Sequence, residues 1–278
     1  MKGNWKNFEK NAMEYLKKEI VLSGVSFVSL GGSNSTESDI GVKYRDKNLF
    51  LIEAKLSPSQ SGQIVVLLEN DNYVYSKKSK EPENDFVKKI IAYLNSNISL
   101  YRDCGTKGIK INIDNEVMAG WITEHYKIKG VKFIIVSNSP SDFDRTFIKV
   151  LPLSELGKNF EISLVLRRKR SGTRDMSKKF YLEVSELLKV KVGKNFKLKE
   201  DGNLRYYGGK ITNSYLGDKF YIAHDKGEIY QVKKRAITNN PQAVFSLVYS
   251  GKKQTEGFDS LKKAIVSSIS LLNGPKSL

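Results

Sequence analysis

Asp39, Glu53 and Lys55 are the residues of this chain whose types and spacing could do chemistry together. Two carboxylates brought side by side offer hard oxygen ligands. Mg²⁺ typically takes one or two such carboxylates and leaves its other positions to water and phosphate. A lysine beside that pair can orient a water and offset negative charge on a reacting phosphate. The backbone carbonyl of Ala54 lies between Glu53 and Lys55 in sequence and could complete the ligand set. The bland alternative is that Glu53 and Lys55 form a surface ion pair on an edge strand.

For these groups to meet, the elements around them must form a hairpin. Asp39 opens DIGVKY, in which Ile40, Val42 and Tyr44 alternate with other residues, the period of a strand. Arg45 to Asn48 is a turn cluster, and Leu49-Phe50-Leu51-Ile52 is an apolar run suited to a buried strand. Residues two apart on a strand share a face, so Glu53 and Lys55 point one way while Ala54 points into the core. The open end of the hairpin then brings Asp39 beside Glu53.

Asp39 followed by Glu53-Ala54-Lys55 resembles the motif of the PD-(D/E)xK nuclease superfamily, which includes many restriction endonucleases and junction resolvases. The likeness covers roughly Ser38 to Lys55 and extends to the first helix. It departs from the pattern in having Ser38 where a proline often precedes the aspartate. The resemblance implies a mixed-sheet α/β (α+β) core and Mg²⁺-dependent hydrolysis of phosphodiester bonds. It also implies that Asp39 and Glu53 hold the metal, with Lys55 acting on the water or the transition state. Nucleases similar to this family often carry an acidic residue on the first helix. Here residues 7–22 have the stripe of an amphipathic helix (Phe8, Ala12, Tyr15, Leu16, Ile20), and Glu9 is the position onto which that role is carried, with Glu14 as the alternative. A solvated helix glutamate is an equal reading for either.

Between a predicted strand at residues 25–30 and Asp39 lies GGSNSTES, whose Ser33 and Asn34 could contact phosphate or base edges; a plain connecting loop is the even alternative. After Lys55, Ser57-Pro58 has the form of a helix start, Ser57 as N-cap and Pro58 in the first turn. On that helix Gln60 and Gln63 would lie one turn apart and within reach of the site. Further helices are expected near residues 85–94 and 116–126. A buried strand at 131–136 should run beside the ExK strand after a helical crossover, and 147–153 should add another. Residues 65–130 could form an insertion in a nuclease core spanning 1–156.

The remaining part, 157–278, reads as a basic, strand-rich domain. The chain has 278 residues and a formal net charge of +17. Residues 1–156 hold 22 lysines and arginines against 19 acids, whereas 157–278 hold 25 against 11. Such asymmetry points to a polyanion partner. A strand at 160–166 runs into RRKRSGTR, where Arg167, Arg168, Lys169, Arg170 and Arg174 concentrate charge suited to phosphate or guanine edges; the alternative is a solvated basic turn. A helix is expected at 178–190. Beyond residue 202, tyrosine-rich runs with turn glycines, including AVFSLVYSGKK, read as hairpins, and 259–272 as a closing helix.

Composition removes other chemistries. A single cysteine, Cys104, forms no internal disulfide, and with only His125 and His224 a zinc site or a histidine-based triad has little to draw on. Both histidines read as ordinary loop or interface residues. No apolar run approaches the roughly 20 residues a membrane span needs, and the N-terminus lacks the layout of a signal peptide, so a cytoplasmic protein without a membrane partner is expected. The combined expectation is a site-specific endonuclease of double-stranded DNA, similar to type II restriction enzymes. It would work as a homodimer if it cuts both strands of a palindrome. The competing classes are a non-catalytic DNA-binding protein and a structure-specific nuclease of DNA or RNA.

Overall fold

The apolar run Leu49–Ile52 lies at the centre of a five-stranded sheet in the computed structural model, which describes residues 4–30, 38–77, 79, 81–139, 147–168, 172–173, 180–200, 204–209, 211, 215–217, 219–235, 240–251 and 257–273. The chain opens with α1 (Asn4–Glu19), β1 (Val25–Ser29), β2 (Ile40–Tyr44) and β3 (Lys47–Leu56). There follow β4 (Ser59–Glu69), β5 (Asn72–Tyr75), α2 (Asp85–Ser96), α3 (Ile98–Tyr101), β6 (Ile109–Lys110) and α4 (Asn115–Ile128). Then come β7 (Val131–Ser137), β8 (Lys149–Pro152), α5 (Leu156–Asn159) and β9 (Phe160–Arg168).

The central sheet has the order β1-β2-β3-β7-β8. The expected hairpin is present: β2 and β3 pair antiparallel, with Ile40 opposite Ile52. Strand β7 lies parallel to β3, Glu53 opposite Ile134 and Lys55 opposite Val136, as a helical crossover requires. Alternation sorts the two faces of β3. Phe50, Ile52 and Ala54 join the core formed with Phe8, Ala12 and Leu16 of α1 and with Leu261 and Ile265 of the last helix, α7 (given below). Glu53 and Lys55 point away from that core.

Two sequence expectations fail after Lys55. No helix starts at Pro58. The chain continues as β4, and the Ser57 hydroxyl, instead of capping a helix, accepts a hydrogen bond from Tyr249 N at 2.9 Å. The β-branched, aliphatic run Ile64–Leu68 suits a strand, and its partner lies far off in sequence, so a locally plausible cap yields to tertiary pairing. Asn70 and Asp71, both at positive φ, form the tight turn between β4 and β5. The helices expected near 85–94 and 116–126 are present as α2 and α4.

The chain divides into two compact units. The first comprises residues 1–103, 109–166 and 242–278, the second 104–108 and 167–241. This differs from a single boundary at residue 156. AVFSLVY is not a hairpin of the basic part: it is β16 (Pro241–Tyr249), which pairs antiparallel with β4 inside the first unit. The first unit's second sheet has the order β5-β4-β16-β9-β6, and α7 (Gly257–Asn273) closes the unit.

The second unit contains β10 (Gly172–Thr173), α6 (Tyr181–Val192), β11 (Lys197–Glu200), β12 (Leu204–Tyr207), β13 (Tyr215–Leu216), β14 (Phe220–Lys226) and β15 (Ile229–Arg235). Its sheet runs β11-β12-β15-β14-β13, with β10 added against β15. Val184 and Leu188 of α6 pack with Tyr206, Phe220, Tyr230 and Val232 in a core of its own. Tyrosine at strand spacing here is therefore partly core. This unit holds 20 lysines and arginines against 8 acids, so +12 of the net +17 falls within it. No helix among the described residues is long and apolar enough to cross a membrane.

Candidate active site

The site is built where β2 begins and β3 ends. Since Ile40 faces Ile52, the next step along the hairpin sets Asp39 beside Glu53. Two backbone bonds hold Asp39 there: its carbonyl oxygen accepts from Leu30 N at 2.9 Å, and its Oδ2 accepts from Ala54 N at 2.9 Å. Ser38, standing where the nuclease pattern often has proline, is fully buried.

Glu53 is 6% exposed. One of its oxygens, Oε1, lies 2.5 Å from the Lys55 ammonium. The other, Oε2, is buried with no hydrogen-bond partner. A buried carboxylate oxygen left unsatisfied is costly unless something of opposite charge completes it. The bland reading of Glu53 and Lys55 as a solvated surface pair therefore does not describe this geometry.

Glu9 of α1 joins the cluster, with its carboxyl hydrogen-bonded to that of Asp39. Burial, then the charge of Asp39, pushes Glu9 up to about 7. Burial, then the charge of Glu53, pushes Asp39 up to about 6. Carboxylates crowded away from water resist sharing negative charge. Lys55 is raised: burial alone would lower it, but Tyr126 and the carboxylates of Glu53 and Asp39 outweigh that loss. Its ammonium stays charged at neutral pH. Glu14, the alternative acid, instead pairs with Lys17 on the exposed side of α1.

Sequence reasoning missed Tyr126. It lies on α4 and is buried, its phenol close to the Lys55 ammonium and to Ser61. The Lys55 ammonium also lies 5.7 Å from the centre of its ring. Burial raises the Tyr126 phenol, so it remains a neutral donor and acceptor. Its only sequence signal was the buried stripe Met118, Trp121, Ile122, Tyr126, which reads as ordinary core.

A cleft of about 530 Å³ opens beside these groups, lined by Trp5, Glu9, Ala54, Lys55 and Gln60 with the Ser57-Pro58 segment. Gln60 therefore lines the site from a strand. Gln63 is exposed on the same strand but is not among the cleft-lining residues. A bulge explains how residues three apart can both be exposed: Gln60 pairs with Ser246 and Gln63 with Val244, so Ser61 and Gly62 together oppose Phe245.

The carboxylates suit a hard divalent cation. Among the described residues, no three His, Cys, Asp or Glu side chains form a metal cage by themselves. Two carboxylates, one of them with its Oε2 unpartnered within the protein, and a backbone carbonyl match an ion that completes its shell with water and phosphate. The histidines stand elsewhere. His125 is in α4, stacked on Trp121 with its Nδ1 2.5 Å from Glu81, and His224 Nε2 lies 2.8 Å from the Gly227 carbonyl.

Of the expected nucleic-acid contacts, Arg167 and Arg168 end β9. Arg168 is partly structural, its Nε donating to the Cys104 carbonyl at 3.1 Å and its backbone N to Gly105 O at 3.0 Å. Lys169, Arg170 and Arg174, with Ser33 and Asn34, lie outside the described residues.

Among solved structures, the chain is similar to HhaI endonuclease in complex with DNA, with a TM-score of 0.75 and 29% identity, covering 96% of this chain and 99% of that one. No protein-family model and no curated protein matches the sequence. The mixed α/β architecture expected from the sequence is therefore similar to the fold of an endonuclease, along nearly the whole length of both chains.

Proposed function

We propose that this chain is a Mg²⁺-dependent endonuclease that hydrolyses DNA phosphodiester bonds, with site specificity like that of type II restriction enzymes. The observation that carries the reading is the buried, unsatisfied Oε2 of Glu53 beside Asp39 and a charged Lys55. The full-length likeness to an endonuclease that binds DNA supports it. The resemblance of Asp39 and Glu53-Ala54-Lys55 to the PD-(D/E)xK pattern agrees with both.

Asp39, Glu53 and the Ala54 carbonyl would hold the cation. When bound, Mg²⁺ polarises the scissile phosphate and makes a water more acidic. Ala54 N fixes the Asp39 carboxylate, so that ligand is oriented before substrate arrives. Glu53 and Asp39 raise Lys55, which favours the ammonium over a neutral base. Its role is to hold the attacking water and to stabilise charge on the pentavalent phosphorus. Glu53 Oε1 and Tyr126 aim its ammonium. Glu9, at about 7, exchanges its proton with solvent near neutrality and ionises more readily when positive charge enters.

The partner would be double-stranded DNA, bound in large part by the second unit through its excess of 12 positive charges. Cutting both strands of a palindrome would require two copies related by a twofold axis, testable by sedimentation with and without DNA. The decisive experiment is digestion of long, unmethylated DNA of known sequence with Mg²⁺ or with EDTA. Discrete bands in Mg²⁺ alone, absent in Glu53→Gln and Asp39→Asn, are expected. DNA binding without any cleavage would favour a non-catalytic DNA-binding protein.

A further inference from the structure

Trp5 lies one helical turn before Glu9 on α1, so the two side chains share a face of that helix. Both line the cleft that contains Ala54 and Lys55. Trp5 is 51% exposed, and among the described residues it is the exposed large hydrophobic side chain that lines this cleft. A lone apolar residue on a surface needs no explanation. An indole in the wall of a cleft that also holds the Glu9 carboxyl and the Lys55 ammonium is different, because those groups are set to manage charge and it is not.

Glu9 in the cleft wall, with Asp39 beside it, repels a phosphate until a cation offsets them. An indole gains contact with a flat neutral group whatever the charge state. The ligand of the proposed activity is a chain of phosphates joined by nucleosides, so the phosphate at Lys55 has a nucleoside attached on each side. From this geometry we infer that Trp5 forms a subsite for the nucleoside flanking the scissile phosphate, packing its indole against the base or the deoxyribose. In a duplex the base faces are covered by their neighbours, so the indole meets the deoxyribose, or a base only where the strand is unstacked; either contact tolerates any base. The subsite thus adds affinity and register at the reacting bond without reading sequence. The inference rests on the nuclease reading of the same cleft.

The test uses the full chain with Ca²⁺ and thymidine 3′,5′-bisphosphate, a probe with one nucleoside and two phosphates. The chain's two tryptophans separate cleanly: Trp121 is 3% exposed and stacked on Phe245, so exposure-dependent quenching reports Trp5. The bisphosphate should quench Trp5 emission saturably, and inorganic phosphate should not. Isothermal titration calorimetry, which needs no indole reporter, should give a Kd raised roughly tenfold in Trp5→Ala and within about threefold in Trp5→Phe. Unchanged Trp121 emission would show that both variants remain folded. Deoxyribose 5-phosphate distinguishes the two contacts: quenching by it assigns the sugar, and quenching only by the complete nucleotide assigns the base. Absence of saturable binding by the wild type, or an unchanged Kd in Trp5→Ala, overturns the subsite. Plasmid cleavage by the wild type in Mg²⁺, run alongside, distinguishes the failures. Cleavage with an unchanged Kd sinks the subsite alone, whereas absence of cleavage sinks the proposed function and this inference with it.

Discussion

Tyr126 and Lys55 meet against the sheet: the ammonium lies 5.7 Å from the ring centre, close enough for the hydroxyl to interact with it. The parallel pairing of β3 with β7 is the reason, because it lays the crossover helix α4 along the Glu53/Lys55 face. Together with Glu53 Oε1, Tyr126 limits where the ammonium can go.

Tyr126→Phe should therefore lower kcat while leaving KM for DNA nearly unchanged. A hydrogen bond to a charged group contributes about 1.5–3 kcal/mol, and each 1.36 kcal/mol is roughly tenfold in rate. A fall of about ten- to a hundredfold in single-turnover cleavage is expected, with the ring's packing retained. A raised KM at unchanged kcat would show that Tyr126 serves substrate binding and does not aim Lys55.

The crowded carboxylates give stability a pH dependence whose sign can be worked out. Glu9 and Asp39 have folded values near 7 and 6, above their ordinary 4.5 and 3.8. Between about pH 4 and 7 the folded state thus binds more protons than the unfolded state. These groups contribute most stability below about pH 4, and the contribution is lost as pH rises through 6 to 7. In EDTA, the Tm should fall from pH 5 to pH 8, and Asp39→Asn should flatten that fall. Mg²⁺ should raise Tm more at pH 8 than at pH 5. Equal stabilisation by Mg²⁺ at both pH values would count against a cation held by these carboxylates.

The bulge in β4 gives a prediction independent of the chemistry. Gly62 has φ of +108°, and a Cβ there would lie 2.9 Å from two ring atoms of Trp121. That ring is already stacked on Phe245, centroids 4.1 Å apart, and on His125 at 5.0 Å. Gly62→Ala must adopt a strained backbone and displace a ring with little room to move. A loss of about 1–3 kcal/mol is expected, read as a lower urea midpoint. An unchanged midpoint would mean that the bulge relaxes freely.

The hairpin carrying Asp39 and Glu53 was legible because strand alternation and the turn residues after Tyr44 are local signals, although the turn is only Arg45-Asp46 and Lys47 and Asn48 already belong to β3. Lys55 was legible as a charged neighbour, but its partner Tyr126 was not: on α4 it extends an apolar stripe, and only pairing across the sheet reveals what it touches. The strand after Ser57-Pro58 was missed for a related reason. Its pairing partner β16 lies about 180 residues on, with Val244 opposite Gln63, and no local pattern encodes that contact. The same pairing moved AVFSLVY out of the basic part. Gly251 has a positive φ (+63°), and the strand before it belongs to the first unit.

The final prediction separates the arginines at the end of β9. Arg168 is bonded to the Cys104 carbonyl and its backbone to Gly105, so replacing it disturbs how the second unit is put together. Arg167 is half-buried and opens the run Arg167-Arg168-Lys169-Arg170. If these cations contact phosphate, each released counterion contributes to the slope of log K against log salt, roughly 0.9 per contact on duplex DNA. Arg167→Gln, Lys169→Gln and Arg170→Gln should each weaken binding and flatten that slope by about one unit, similarly on cleavable and scrambled DNA. Arg168→Lys should instead lower the Tm, because a lysine has no Nε to reach the Cys104 carbonyl, and should change the slope less than the others. A slope unchanged in the triple variant would reduce RRKRSGTR to a solvated turn. Loss of discrimination between cleavable and scrambled DNA would make these side chains base readers, since phosphate contacts position the protein without specifying sequence.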